Sequence, residues 1–288
     1  MISRLCILGV GLIGGSLALA LKRAGVVESV IGCGRQQANL ETALALNVVD
    51  EYTTEPAEAV RGADVVVVAA PLGAASRLFG AIKDTLDPQA VLTDVGSAKR
   101  CVIDDAEQVF GEIPDNFVPG HPIAGTERSG VEAAFESLFD DHRVILTPLE
   151  HTSTDATSTV RTMWESAGAE VLLLDPDHHD EVLAATSHLP HMLAYTLVDT
   201  LGRMDEHTAI FRYAAGGFRD FTRIASSDPT MWHDICLANR GALLSALQQF
   251  SVELAEVTEF IRKGDSAALK DVFVRAKEIR DAHIGGAK

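Results

Sequence analysis

Gly9, Gly11 and Gly14 are the first residues whose spacing could do chemistry. They stand in Gly9-Val10-Gly11-Leu12-Ile13-Gly14, a G-x-G-x-x-G. Alone the motif is weak. Here it follows a short apolar run at 4–8 and opens a helical stretch at 12–24, the setting in which it binds a dinucleotide. Gly9 permits a tight turn, Gly11 lets the backbone approach a pyrophosphate, and Gly14 lets the helix pack closely on the strand. With Leu12 and Ile13 they form a helix start whose free N–H groups face the phosphates. The end of the second strand reports which dinucleotide. An acid there would bond a ribose 2′-hydroxyl. The sequence instead reads Gly34-Arg35-Gln36, and Glu28 lies at the strand's other end. Gly34 leaves room, and Arg35 supplies a planar cation suited to a 2′-phosphate. NADP is the expected cofactor; NAD is the alternative if Arg35 is only a solvated residue at a helix start.

His188 and His191, in Ser187-His188-Leu189-Pro190-His191, are three apart and share a helix face. Such a pair could hold a metal, but no third ligand stands at a motif spacing, so no metal is expected. His121 opens His121-Pro122-Ile123-Ala124-Gly125-Thr126-Glu127-Arg128-Ser129-Gly130. It follows a short apolar strand and precedes a proline. That places it on a rigid loop at the carboxyl edge of a sheet, where ligands bind in such folds. Arg219 and Arg223 are four apart and share a face if their segment is helical.

These residues need elements to hold them. Strand candidates fall at 4–8, 29–33, 65–69, 90–93, 117–119, 144–146 and 170–173, with helical stretches at 12–24, 37–46, 74–85 and 99–110 between them. The alternation argues for βαβ units and a mainly parallel sheet of Rossmann type. Beyond about residue 175 strands cease, and helical periodicity runs through 177–204, 231–262 and 266–282. Asp228-Pro229 reads as a helix start. The fold class is therefore α/β: a dinucleotide-binding domain over 1–173, then an all-helical domain over 174–288. Leu243, Leu244, Leu247, Phe250 and Leu254 would leave that helical part with a large apolar patch unless covered. A homodimer joined through the helical domains is expected.

The 288 residues carry 41 acids against 24 Lys and Arg, a formal net charge of −17. Nucleic acid and anionic membranes both demand a basic face, so neither is an expected partner. No apolar run reaches the roughly 18 residues of a membrane span, the stretch 5–21 being interrupted by glycines, and Met1-Ile2-Ser3-Arg4 enters a strand with no leader pattern. Cys6, Cys33, Cys101 and Cys236 are far apart and read as buried thiols in a reducing cytoplasm.

Four further segments narrow the reading: Asp94-Val95-Gly96-Ser97-Ala98-Lys99, 121–130, 187–191, and Gly216-Gly217-Phe218-Arg219-Asp220-Phe221-Thr222-Arg223-Ile224-Ala225. In this order, after the glycine fingerprint, they resemble the prephenate/arogenate dehydrogenase family of tyrosine biosynthesis. The resemblance spans nearly the whole chain, with 121–130 and 217–225 its most specific parts. It implies hydride transfer from C4 of a cyclohexadienol to the nicotinamide, with loss of the C1 carboxylate as CO2. It implies that His121 is the base for the 4-hydroxyl, a role suited to an imidazole. Ser97 would bond to that histidine or to the substrate hydroxyl and also border the cofactor. Arg223 would bind the ring carboxylate, and Arg219 the side chain or the pocket mouth. A local pair with Asp220 is the rival for Arg219. His191 would line the substrate site, His188 support it, and Glu127 stand near its mouth. Substrates would be prephenate, arogenate or both. The chain's length leaves no room for the regulatory or mutase domains some members carry, so any tyrosine feedback would act at the active site.

Two rivals compete. One is another NADP-dependent dehydrogenase of the same two-part plan, such as a β-hydroxyacid dehydrogenase or pyrroline-carboxylate reductase. The other is a dinucleotide-sensing protein without turnover, which would not need His121 and Arg223 together.

Overall fold

A computed structural model describes residues 1–126, 128–205 and 207–283. The chain opens with β1 (Ile2–Leu8), α1 (Leu12–Ala24), β2 (Val27–Cys33), α2 (Gln37–Ala45), β3 (Glu51–Thr53), α3 (Pro56–Ala59) and β4 (Val65–Val68). It continues through α4 (Ala75–Ile82), β5 (Val91–Asp94), α5 (Arg100–Phe110) and β6 (Phe117–Val118). These strands form one parallel sheet in the order β3-β2-β1-β4-β5-β6. The strand order reverses between β1 and β4, which makes the carboxyl ends of those strands the crevice where ligands bind in open α/β sheets. All four residues of β4 are buried, as a strand covered on both faces requires.

A second sheet follows. β7 (Gly120–Ile123) runs antiparallel to β8 (Arg143–Leu146), which pairs in parallel with β9 (Glu170–Leu173). α6 (Thr154–Ser166) lies between the last two, its first turn capped by the Ser153 hydroxyl. Sequence placed one strand at 117–119 and His121 on a loop. The chain instead changes sheets at Pro119, and His121 sits inside β7 opposite Ile145. Proline has no N–H to continue the first ladder, and the next N–H, that of Gly120, goes to the Asp94 side chain.

The helical part comprises α7 (Pro176–Leu183), α8 (Leu189–Gly202), α9 (His207–Arg212), α10 (Gly216–Thr222), α11 (Pro229–Ala238), α12 (Arg240–Lys263) and α13 (Ser266–His283). A π-helical turn, Ala184–His188, precedes α8. It accommodates Pro190, which cannot donate within a regular helix. Asp228 caps α11 through the Met231 N–H, as its Asp-Pro sequence predicts. The stretch 231–262 is broken at Asn239, so it is two helices and not one.

The chain divides into two compact units, Met1–Arg240 and Gly241–Lys288. The second contains the α12–α13 hairpin, on which Val252, Ile261, Phe273 and Ile279 are exposed. No helix among the described residues is long and apolar enough to cross a membrane. Cys6 and Cys33 are buried as expected, but Cys101 and Cys236 are only half-buried; all four are free thiols.

Candidate active site

The glycine fingerprint folds as its sequence dictates. Gly9 has φ +112, and a side chain there would collide with the Ala69 backbone just beyond β4. A side chain at Gly14 would strike the Gly9 carbonyl oxygen and Ile7. Gly11, by contrast, has open space where its side chain would stand. Leu12 and Ile13 begin α1, whose first turn holds no acidic residue to compete for its N–H groups.

A groove of about 730 Å³ lies at this edge. Gly9 and Gly11 line it after β1, Gly34, Arg35 and Gln36 after β2, and Ala69 and Ala70 after β4. Its size, glycine floor and helix start fit a dinucleotide. Arg35 and Gln36 are exposed at its rim, and Gly34 has only ordinary contact, with Leu40 at 3.4 Å.

The second centre is built around His121. Its Nδ1 lies 2.9 Å from His179 Nε2, and His179 Nδ1 lies 2.8 Å from Asp180 Oδ1. An ionised Asp180 can only accept, so His179 Nδ1–H donates to Asp180 and His121 Nδ1–H donates to His179. That leaves the His121 Nε2 lone pair free. Asp180 is itself fixed: Oδ1 accepts from the Lys99 N–H at 2.8 Å and Oδ2 from the Arg100 N–H at 3.0 Å. The carboxylate thus caps α5 from another helix. Burial works to raise its pKa, but the hydrogen bonds from His179 and the two N–H groups outweigh it and hold Asp180 below the ordinary value. Burial pushes His121 well below the usual histidine value, with the charges of His179, Lys99 and His188 acting the same way. His121 is therefore neutral at neutral pH, the state in which an imidazole can accept a proton.

Lys99 anchors the strand beneath. It is fully buried, and its ammonium donates to Asp94 Oδ2 and to the Gly120 carbonyl, both at 2.5 Å. Asp94 in turn accepts from the N–H groups of Gly96 and Gly120. One buried ion pair thereby ties the end of β5 to the residue before His121.

Ser97 is half-buried in the turn after β5, and no hydrogen bond joins it to His121 among the described residues. His188 is buried. Its Nδ1 accepts from Asn239 Nδ2 at 3.2 Å, and burial lowers its pKa to about 4. His191 is half-buried, donates Nδ1–H to the Ser187 carbonyl, and stacks on Trp232 with centroids 3.6 Å apart. Arg219 lies in α10, whereas Arg223 begins the following 3-10 turn. Both are exposed and neither forms an ion pair among the described residues, Asp220 included. Arg223 is close enough to act electrostatically on His191. Glu127 lies outside the described residues. No cluster of potential metal ligands occurs among them.

Sequence reasoning passed over His179, Asp180, Trp232 and Asn239. The first two had a signal: Pro176, His179, Asp180 and Leu183 form the buried face of α7 at helical spacing.

Comparison with known proteins decides what this arrangement belongs to. Residues 17–173 match the family model of the prephenate dehydrogenase nucleotide-binding domain, and residues 175–275 that of the prephenate dehydrogenase dimerization domain. The chain belongs to the prephenate/arogenate dehydrogenase family. Membership makes it an NAD(P)-dependent dehydrogenase of tyrosine biosynthesis. It is 38% identical to the cyclohexadienyl dehydrogenase of Zymomonas mobilis over 96% of this chain and 94% of that protein. It superposes on the A. aeolicus prephenate dehydrogenase, solved with hydroxyphenyl propionate and NAD+, with a TM-score of 0.90 and 36% identity over 97% of this chain and 98% of that one. The Synechocystis arogenate dehydrogenase gives a TM-score of 0.82 and 29% identity, covering 98% and 100% of the two chains.

Proposed function

We propose that the chain oxidatively decarboxylates prephenate, arogenate or both, with His121 Nε2 accepting the 4-hydroxyl proton. The oriented chain Asp180–His179–His121 carries this reading: it fixes one tautomer of a buried, neutral imidazole and leaves a single lone pair free. When bound, the oxidised nicotinamide supplies the hydride acceptor. His121 removes the hydroxyl proton as C4 loses its hydride, the C1 carboxylate departs as CO2 and leaves its bonding pair to the ring, and the imidazolium returns the proton to the resulting phenolate oxygen. His179 and Asp180 stabilise the imidazolium that forms.

The remaining roles rest on position. Arg223, exposed near His191 and outside any ion pair among the described residues, is suited to the ring carboxylate, and Arg219 to the substrate's side chain or the site's mouth. The His191–Trp232 stack offers a flat wall to a six-membered ring. His188, held by Asn239, supports that wall; Ser97, in the turn after β5, is left to the substrate hydroxyl and the cofactor. NADP is the preferred cofactor, supported by Arg35 and Gln36 at the groove's rim and the lack of an acid at the end of β2. Residues 1–173 hold the dinucleotide. The helical residues from 174 complete the substrate site and, through the apolar surface of the α12–α13 hairpin, a homodimer; four free thiols suit a reducing cytoplasm.

The test is direct. Purified protein is given prephenate or arogenate with NADP+ or NAD+, and reduction is followed at the absorbance band of the reduced nicotinamide. Turnover with at least one pair is expected. Absence of reduction with all four overturns the reading.

A further inference from the structure

The groove has two arginines. Arg35 stands just past β2, and Arg77 lies in the first turn of α4, past β4. Because β1 lies between β2 and β4 in the sheet, the two approach the fingerprint from opposite sides. Both are exposed, and neither forms an ion pair among the described residues. The groove's own acid, Asp234, pairs with His233 Nδ1 at 3.0 Å and not with Arg77. The charge of Arg77 is felt across the groove at Cys33, the last residue of β2, where Glu55 opposes it.

We propose that Arg77 is the second half of a clamp on the adenosine 2′-phosphate, with Arg35 the first, and so a specificity-determining residue of the cofactor site. This rests on the NADP preference proposed above. A phosphomonoester has three terminal oxygens and can accept from two guanidinium forks at once. One solvent-exposed arginine holds a dianion weakly; two converging on it share the charge and fix its position. No other role in the groove is assigned to Arg77, and its distance in sequence from the end of β2 hides it from any reading of that strand.

The experiment is a set of binding titrations by calorimetry on the wild type, Arg77→Met and Arg35→Met. Ligands are NADP+, NAD+, adenosine 2′,5′-bisphosphate and adenosine 5′-monophosphate, with thermal melts to verify folding. Arg77→Met is expected to weaken NADP+ and the bisphosphate by about ten-fold or more while leaving NAD+ and the monophosphate within about two-fold. Equal weakening of all four would make Arg77 an adenine wall and overturn the proposal. So would unchanged binding, or a wild-type NADP+ preference abolished by Arg35→Met but kept by Arg77→Met. A wild type that binds NADP+ no tighter than NAD+ overturns the underlying cofactor preference, and the clamp with it.

Discussion

The His121 imidazole owes its usefulness to what its other nitrogen touches. A histidine free to rotate or to change tautomer would present a lone pair only part of the time. Here His179 and Asp180 hold one arrangement, and burial keeps the ring unprotonated. Replacing His121 by Asn should lower kcat by roughly 10²–10⁴ while leaving cofactor binding intact; normal turnover in a steady-state assay would remove His121 as the base. The pH profile tests the electrostatics. His121 must be neutral to accept a proton, so activity falls as pH drops through its pKa, which lies below the ordinary 6.5. The acid limb of kcat/KM should therefore lie below about 6.5. A limb at or above that value would mean the ring is more solvated than its packing shows. His121 was legible because a motif surrounds it. His179 and Asp180 were less so: their stretch reads as helical, but with Asp177, His178 and Glu181 around them only the fold shows which face is buried.

Elements divide similarly. Central strands such as β4 announce themselves by unbroken valines, and α1 by its glycine start. The edge strand β3 has only Glu51, Tyr52 and Thr53, too short and too polar for a pattern to detect. β7 is hidden for another reason: Gly120 and Pro122 are residue types depleted in strands, and the segment is held by pairing with β8 and by the Lys99–Asp94 clamp. The fit of α1 on β1 can be measured. Ala at position 14 would press its methyl against the Gly9 carbonyl and Ile7. Gly14→Ala should lose about 1–3 kcal/mol in a denaturant melt, together with cofactor affinity, since the helix start moves with it. A variant as stable as the wild type would show that α1 has room to shift.

At the scale of the whole molecule, the acidic composition argues against polyanionic partners but does not locate the cations left for a small anionic ligand. Arg35, Arg77, Arg219 and Arg223 are exposed and outside ion pairs among the described residues, so each is available to an anion at the proposed ligand sites. Stability should depend on pH with a definite sign. His188 has a folded pKa near 4 against an ordinary 6.5, so the unfolded chain binds the extra proton between those values. Stability is then full above about 6.5 and lost as pH falls towards 4, by about 3 kcal/mol from this group alone. Asp180, with its lowered pKa, acts in the same direction at lower pH. Thermal melts across pH 4–7.5 should show the midpoint falling with acidity; a flat profile would mean His188 is hydrated. Light scattering should give a mass near twice the 30.7 kDa chain. A stable, active monomer would leave the apolar face of the α12–α13 hairpin without a purpose.

Asp180 has a bearing on how such enzymes can be rebuilt. The two family models meet between residues 173 and 175, a join that invites swapping one half for a relative's. Yet the carboxylate that orients His179 and, through it, His121 also closes the start of α5, on the other side of that join. A chimaera spliced there inherits the proposed proton acceptor from one parent and the support for it from the other. It would work only where both parents agree on that one carboxylate, so the useful seam for recombination lies beyond α7, not at the junction the two models mark.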